Sequence, residues 1–404
     1  MNKTLLATLV AAAVSGIAAA PAQAQKISGD VVRIGVLTDL ASLYADLSGQ
    51  GSVVATQMAV EDFGGTVLGK KIDVVSADHQ NKPDIGAAKA REWIDTQGVD
   101  VITELVTSSV ALAVQKVGAD KKKPVLIVTA ATTRITNEDC NPYTVHWMYD
   151  TYALANGTGK ATIKSGGDTW FFITADYAFG HSLEKDTAEA VKAAGGKVLG
   201  QVRHPLNASD FSSFLLQAQA SKAKVIGLAN AGGDTINAIK AANEFGLTRN
   251  QSLAGLLVFD TDIHSLGLKT TQGMMLTTGY YWDRDDTSRK FAKRYFERMK
   301  KMPTMVQAGQ YSATLNYLRA VKEAGTDDGD AVMAQLKKMK ISDEVIPSGS
   351  IRADGRLVHD MYLVQVKKPE ESKYPWDYYN IRQVIPAEQA FQPLSESRCP
   401  LVKK

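Results

Sequence analysis

The apolar and polar positions of this chain fall into repeating strand and helix units. Residues 170–173, WFFI, form a continuous apolar run, as expected of a parallel strand buried on both faces. The run ends at Thr174-Ala175-Asp176. Leu183, Ala188, Val191 and Ala194 then recur at helical spacing until Gly195-Gly196, and residues 197–202 open another strand. Tyr177 sits in the loop after the first strand. In open α/β sheets ligands bind beyond the carboxyl ends of the strands, which is where that loop lies.

The unit repeats along the whole chain. Strands are predicted over 31–40, 71–77, 99–106 and 125–129, with helices over 52–63 and 84–96 and another from Ser108-Ser109. The pattern restarts with a helix over 151–163 and strands from 170, 197, 225, 253 and 274. Strand starts recur at roughly 25 to 40 residues, the length of a βαβ unit, so two doubly wound α/β lobes of similar layout are expected. Long helices follow over 288–302 and 305–324. Residues 350–352 and 361–366 flank Asp354-Gly355 and read as a hairpin. The Pro- and charge-rich tail from 368 is expected to wrap a surface.

A chain of 404 residues is too long for one ordinary core, which agrees with two lobes. Its net charge of +3 gives no reason to propose nucleic acid or an anionic membrane as partner. Residues 1–24 carry Lys3, an apolar Ala-rich run and Ala22-Gln23-Ala24, the pattern of a cleaved secretory signal peptide. Export changes the reading of the two cysteines, Cys140 and Cys399, because an even pair in an oxidising compartment is a disulfide candidate.

Several chemical motifs dissolve on inspection. GGTVLGKK over 64–71 has Lys71 where a phosphate loop needs Ser or Thr, and it precedes a strand. Gly180-His181-Ser182 lacks the final glycine of a nucleophile elbow, and Ser182 lies inside a helix. The six histidines show no zinc-ligand spacing, so neither a metal nor a cofactor is expected. Asp260-Thr261-Asp262 is too sparse for a calcium loop and reads first as a turn or helix cap. Ser108 and Ser109 follow a buried strand and open a helix, where free N–H groups suit a carboxylate. Thr132 and Thr133 follow the neighbouring strand. Tyr177, Asn230 and Asp260 hold the same topological place in the second half, and Tyr44 offers a flat wall.

These features together resemble the periplasmic leucine/isoleucine/valine-binding protein family, the type I solute-binding proteins of ABC importers. The residues that carry the resemblance are the leader, the opening IGVLTDL strand, TSS after strand three, TAATT after strand four, and ADYAFG in the second half. The resemblance implies two Rossmann-like lobes, residues 25–148 plus 280–349 and residues 151–277 plus 358–404, joined by a three-crossover hinge. It implies a monomeric periplasmic receptor, not an enzyme, that hands a small ligand to an inner-membrane ABC permease. Ser108, Ser109, Ala131 and Thr132 would hold the ligand's carboxylate. Asp260 or Asp262 would meet an α-ammonium, although VFDTDIHSLG departs from the family's usual pattern there. Some relatives take aromatic carboxylates such as benzoates or hydroxycinnamates, so an aliphatic amino acid and an aromatic acid both stand. A secreted hydrolase using Ser182 or Ser109 is the competing class, and no Ser–His–Asp arrangement supports it.

Overall fold

The computed structural model describes residues 26–403, so the expected signal peptide lies outside the described residues. Strand β1 (Val31–Thr38) is followed by α1 (Gly49–Phe63), the short β2 (Thr66–Val67), β3 (Lys70–Asp78) and α2 (Pro83–Thr96). Then come β4 (Val101–Glu104), α3 (Ser108–Lys121), β5 (Val125–Ile127) and β6 (Thr144–His146). They form a six-stranded sheet in the order β2-β3-β1-β4-β5-β6, parallel except for β2. The apolar runs of β1 and β4 are buried because helices cover both sheet faces. On one face Trp93 of α2 lies so close to Gly35 that a β-carbon there would meet its ring at 2.7 Å.

The chain crosses to the second lobe at Trp147–Asp150. The predicted helix over 151–163 is α4 (Thr151–Leu154), a π-turn (Ala155–Gly159) and α5 (Lys160–Lys164). The bulge lies where Gly157 packs on Thr277, whose Oγ1 would be 2.2 Å from an added β-carbon. Next come β7 (Thr169–Ala175), α6 (Ala178–Ala193), β8 (Lys197–His204), α7 (Ser212–Ser221), β9 (Val225–Ala229), α8 (Gly232–Glu244) and β10 (Ser252–Gly255). The second sheet is parallel, in the order β10-β9-β7-β8. Helices α9 (Asp260–Leu266) and α10 (Leu268–Thr271) lead to β11 (Met275–Thr278).

After β11 the chain returns to the first lobe. Helices α11 (Asp286–Met299) and α12 (Met305–Ala324) pack on α1, with Arg294 bonded to Asp62 and Arg298 to Glu61. Helix α12 is buried over most of its surface, which explains its lack of a clean polar stripe. Helix α13 (Gly329–Lys338) and strands β12 (Lys340–Ile341), β13 (Gly349–Ile351) and β14 (Leu357–His359) follow.

The hairpin differs from expectation. Strand β13 pairs with β14, whereas β15 (Met361–Val366) pairs with β11 and with β16 (Tyr379–Ile385). Arg356 is bridged to His146 of the first lobe, and the chain passes through Asp360 to β15 beside β11 of the second. Buried groups lock the first and third crossings together. Arg356 donates to the carbonyls of Tyr149 and Leu357, and His359 Nε2 bonds the Met148 carbonyl at 2.7 Å.

The tail does not stay with the second lobe. Past α14 (Ala387–Ala390), Phe391 covers the Arg356 guanidinium at 4.6 Å, and Arg398 N–H donates to Asn137 Oδ1. Cys399 is disulfide-bonded to Cys140, with Cα atoms 5.7 Å apart.

Candidate ligand-binding site

The carboxyl ends of both parallel sheets face one slot between the lobes. The lobes touch across it: the Tyr44 and Tyr177 phenols are 2.7 Å apart, Thr132 Oγ1 is 2.6 Å from Ser182 Oγ, and Gly233 N–H donates to the Leu43 carbonyl. Only a narrow cavity remains between them, its walls nearly in contact. Lobe one lines it with Tyr44, Leu47, Val106, Thr129 and Ala131, the first crossing with Tyr149, and lobe two with Tyr177, Phe179, Ala231, Leu257 and Phe259. A larger hollow of about 420 Å³ lies behind the hinge, between Lys160 and Glu388. It is away from the strand ends and has no convergent buried polar groups, so the smaller cavity is the candidate.

Helix α3 starts at Ser108, its N-cap Thr107 makes no capping bond with its side chain, and the first-turn N–H groups have no intrahelical partner. The Ser108 hydroxyl is buried and accepts the N–H groups of Ala131 and Thr132, both at 3.3 Å. Ser108, Ala131 and Thr132 therefore converge, but of the three only Ala131 lines the cavity. Ser109, the next residue of α3, is only half-buried and does not line the cavity. On the facing lobe Tyr177 is the N-cap residue of α6, and burial pushes its phenol above the usual range.

The structure does not bring every expected residue to the cavity. Asn230 turns into the core of lobe two, where its side chain bonds His204 and Thr235. Asp262 caps its own helix by accepting the Phe259 N–H at 2.9 Å. Asp260 is buried with Oδ2 unpartnered, beside Tyr281 and Tyr379 rather than in the cavity wall. Burial lifts both carboxyls to about 7. Leu47, Val106, Thr129, Tyr149, Phe179, Leu257 and Phe259 were not singled out from the sequence, because such residues read as ordinary core.

A further group missed by sequence reading is Glu104, fully buried at the end of β4. Burial raises its carboxyl to about 7, against the hydroxyl bonds of Thr129, Ser52 and Thr38. Among the described residues, no group of His, Cys, Asp and Glu could hold a metal. Neither Ser109 nor Ser182 has a histidine or carboxylate as hydroxyl partner; Ser182 is bonded to Thr132.

Two α/β lobes meeting over an apolar slot at their strand ends define a hinged solute receptor with the type I periplasmic binding fold. The chain belongs to the periplasmic binding protein family, whose model matches residues 31–373. It is similar to a periplasmic binding protein from Burkholderia mallei, at 60% identity and TM-score 0.92, covering 93% of this chain and 100% of that one. A branched chain amino acid ABC transporter periplasmic ligand-binding protein from Burkholderia xenovorans LB400 is 45% identical, with TM-score 0.82, 92% of this chain and 100% of that one. A Leu/Ile/Val-binding protein homolog of Brucella melitensis is 26% identical, over 91% of this chain and 94% of the relative.

Proposed function

We propose that this protein is a periplasmic receptor that captures a small carboxylate with an apolar body and delivers it to an inner-membrane ABC importer. The observation that carries the reading is the cavity's composition. Aromatic and aliphatic side chains form most of the wall, and Ala131 ties one end of it to the start of α3, whose first-turn N–H groups have no intrahelical partner. Such donors suit one carboxylate, and the rings suit a flat or branched body. No acidic side chain lines the wall, which favours a body without an ammonium, and its five rings favour an aromatic one.

A second reading, a branched-chain amino acid, draws on the unpartnered Asp260 Oδ2, a ready acceptor for an ammonium, and on the printed name of the B. xenovorans relative. Calorimetric titration with benzoate, 4-hydroxycinnamate, leucine and valine separates the two. Binding of the aromatic acids alone supports the first, binding of leucine or valine alone supports the second, and silence from all four sinks both. Losing a donor to an ionised oxygen costs about 1.5 to 3 kcal/mol, so Ser108→Ala should weaken the best ligand about tenfold or more. Unchanged affinity would remove the carboxylate from that loop.

A further inference from the structure

We propose that Glu104 positions the wall that receives the ligand's carboxylate and takes up a proton when that carboxylate binds. The inference rests on the carboxylate reading above and assigns a residue and a proton to it.

The geometry begins with the backbone. Strand β4 ends on two consecutive non-glycine residues in the left-handed region, Glu104 at φ +86° and Leu105 at φ +59°. L-residues avoid that region, and such strain persists where surrounding structure imposes it, often at functional sites. The turn places the Glu104 carboxyl inward, fully buried, with Oε1 accepting Thr129 Oγ1 at 2.6 Å and Ser52 Oγ at 3.0 Å. The Glu104 carbonyl accepts the N–H groups of Val128 and Thr129, and the Leu105 carbonyl accepts that of Ala130. The Thr129 carbonyl is held by Tyr149 Oη at 2.7 Å. Thr129, Ala131 and Tyr149 all line the cavity, so the strained turn sets the wall from behind.

The electrostatics follow from the same arrangement. No Lys, Arg or His is paired with Glu104 among the described residues. The groups facing it are Ser52 from α1, Thr38 and Asp39 at the end of β1, Thr129 after β5, and Tyr149 from the crossing; Asp39 and Tyr149 are the ones that titrate. One side chain, Thr129, separates its carboxyl from the cavity. Two carboxylates that close in a site without water cannot both stay charged, so the ligand's arrival draws a proton from solvent onto Glu104. That proton reverses a hydrogen bond. Ionised Glu104 only accepts, which commits the Thr129 hydroxyl to it; protonated Glu104 can donate to Thr129 Oγ1, freeing that O–H to turn to the ligand. Burial has already brought Glu104 to about 7, within reach of such a shift.

The test is calorimetric titration of the full-length mature protein with benzoate and with leucine, from pH 6.5 to 8.5, in buffers of different ionisation heat. For whichever carboxylate binds, uptake of part of a proton is expected near pH 7.5, with affinity falling toward tenfold per pH unit above 7. Glu104→Gln keeps the shape and supplies a donor. In that variant uptake should vanish, the affinity should be flat with pH, and binding at pH 8 should be no weaker than in the parent. Wild-type binding without proton exchange overturns the proposal while leaving the carboxylate reading intact. So does a Gln variant that keeps the parent's pH slope, or one that is weaker by the same factor at every pH. Binding of benzamide with no binding of benzoate or leucine would remove the carboxylate reading, and the proposal with it.

Discussion

Gly232 offers a perturbation whose effect on closing separates from its effect on folding. It opens α8 with φ +56°, and a β-carbon there would lie 2.8 Å from the Leu43 carbonyl oxygen, 3.0 Å from Tyr44 Cδ1 and 3.3 Å from Leu47 Cδ2. Residue 232 belongs to the second lobe and residues 43–47 to the first, so the crowding exists only when the lobes are together. The Leu43 carbonyl cannot swing aside as a side chain would, because the Asp39 carboxylate holds its loop through the N–H groups of Ser42 and Tyr44. Overpacking of this kind costs about 1 to 3 kcal/mol, so Gly232→Ala should weaken ligand binding roughly 5- to 150-fold. The left-handed φ costs alanine about 1 to 2 kcal/mol in open and closed forms alike, so that part appears in unfolding and cancels from closing. Gly233→Ala is the control, since its nearest neighbour, Leu43 Cδ1 at 2.8 Å, is a side-chain end that can rotate. Calorimetry gives the affinity, and solution scattering gives the radius of gyration with saturating ligand. If Gly232→Ala bound and compacted as the parent does, closure would not bring α8 against residues 43–47.

Two more tests concern the tail and the lobe contact. The disulfide spans 259 residues, for which chain entropy gives about 5 to 6 kcal/mol, while Arg352 and Asn137 keep other holds on the tail through Gln392. Replacing both cysteines by serine should therefore cost about 2 to 4 kcal/mol in urea unfolding, and an unchanged midpoint would refute this. Asp186 of α6 accepts the hydroxyls of Thr133, in lobe one, and Thr151, and burial raises its carboxyl to about 6. The closed form thus binds the proton more tightly than an opened, hydrated one. Closure gains as pH falls through 6 and is penalised above it. Asp186→Asn should tighten ligand binding about tenfold at pH 7.5 and progressively less as pH falls from 6 toward 4, as calorimetry would read; weaker binding at pH 7.5 would count against it.

The fold was legible where one constraint dominated. Runs such as VVRIGVLT in β1 and WFFI in β7 can only be strands covered on both faces, and the glycines after α1 and α6 mark where helices stop. Legibility failed where several partners fit one pattern. MYLVQV in β15 suits any antiparallel neighbour, and the nearby Asp354-Gly355 turn suggested β13; the partners are β11, far back in sequence, and β16 in the tail. Strand β6 is three residues long and follows Asn-Pro-Tyr, too short a signal for period-two alternation. Helix α7, SSFLLQAQAS, buries only Leu215 and Ala218 and shows no sustained stripe.

The site divides along a related line. The rule that ligands sit beyond strand ends picked out Tyr177, and the family resemblance added Ala131, because both concern where a loop is, and topology fixes that. It could not say which way a side chain turns. Asn230 sits in the right loop, yet His204 and Thr235 offer a buried amide full satisfaction inside lobe two, and an amide there without them would be costly. Asp262 is drawn the same way by the free N–H of Phe259. Glu104 is the converse case. In sequence it is a polar residue ending a strand, where alternation gives no reason to bury it. Two left-handed residues in succession turn it inward, and no periodicity encodes a backbone reversal at non-glycine positions. What the sequence hides at this site is therefore the set of contacts made only when other elements arrive: hydroxyls from α1 and the β5 loop around Glu104, and Leu43 against Gly232 across the slot. On the proposed coupling of ligand, proton and closure, those contacts, more than the strand-end residues, are where substitutions should change binding without changing the fold.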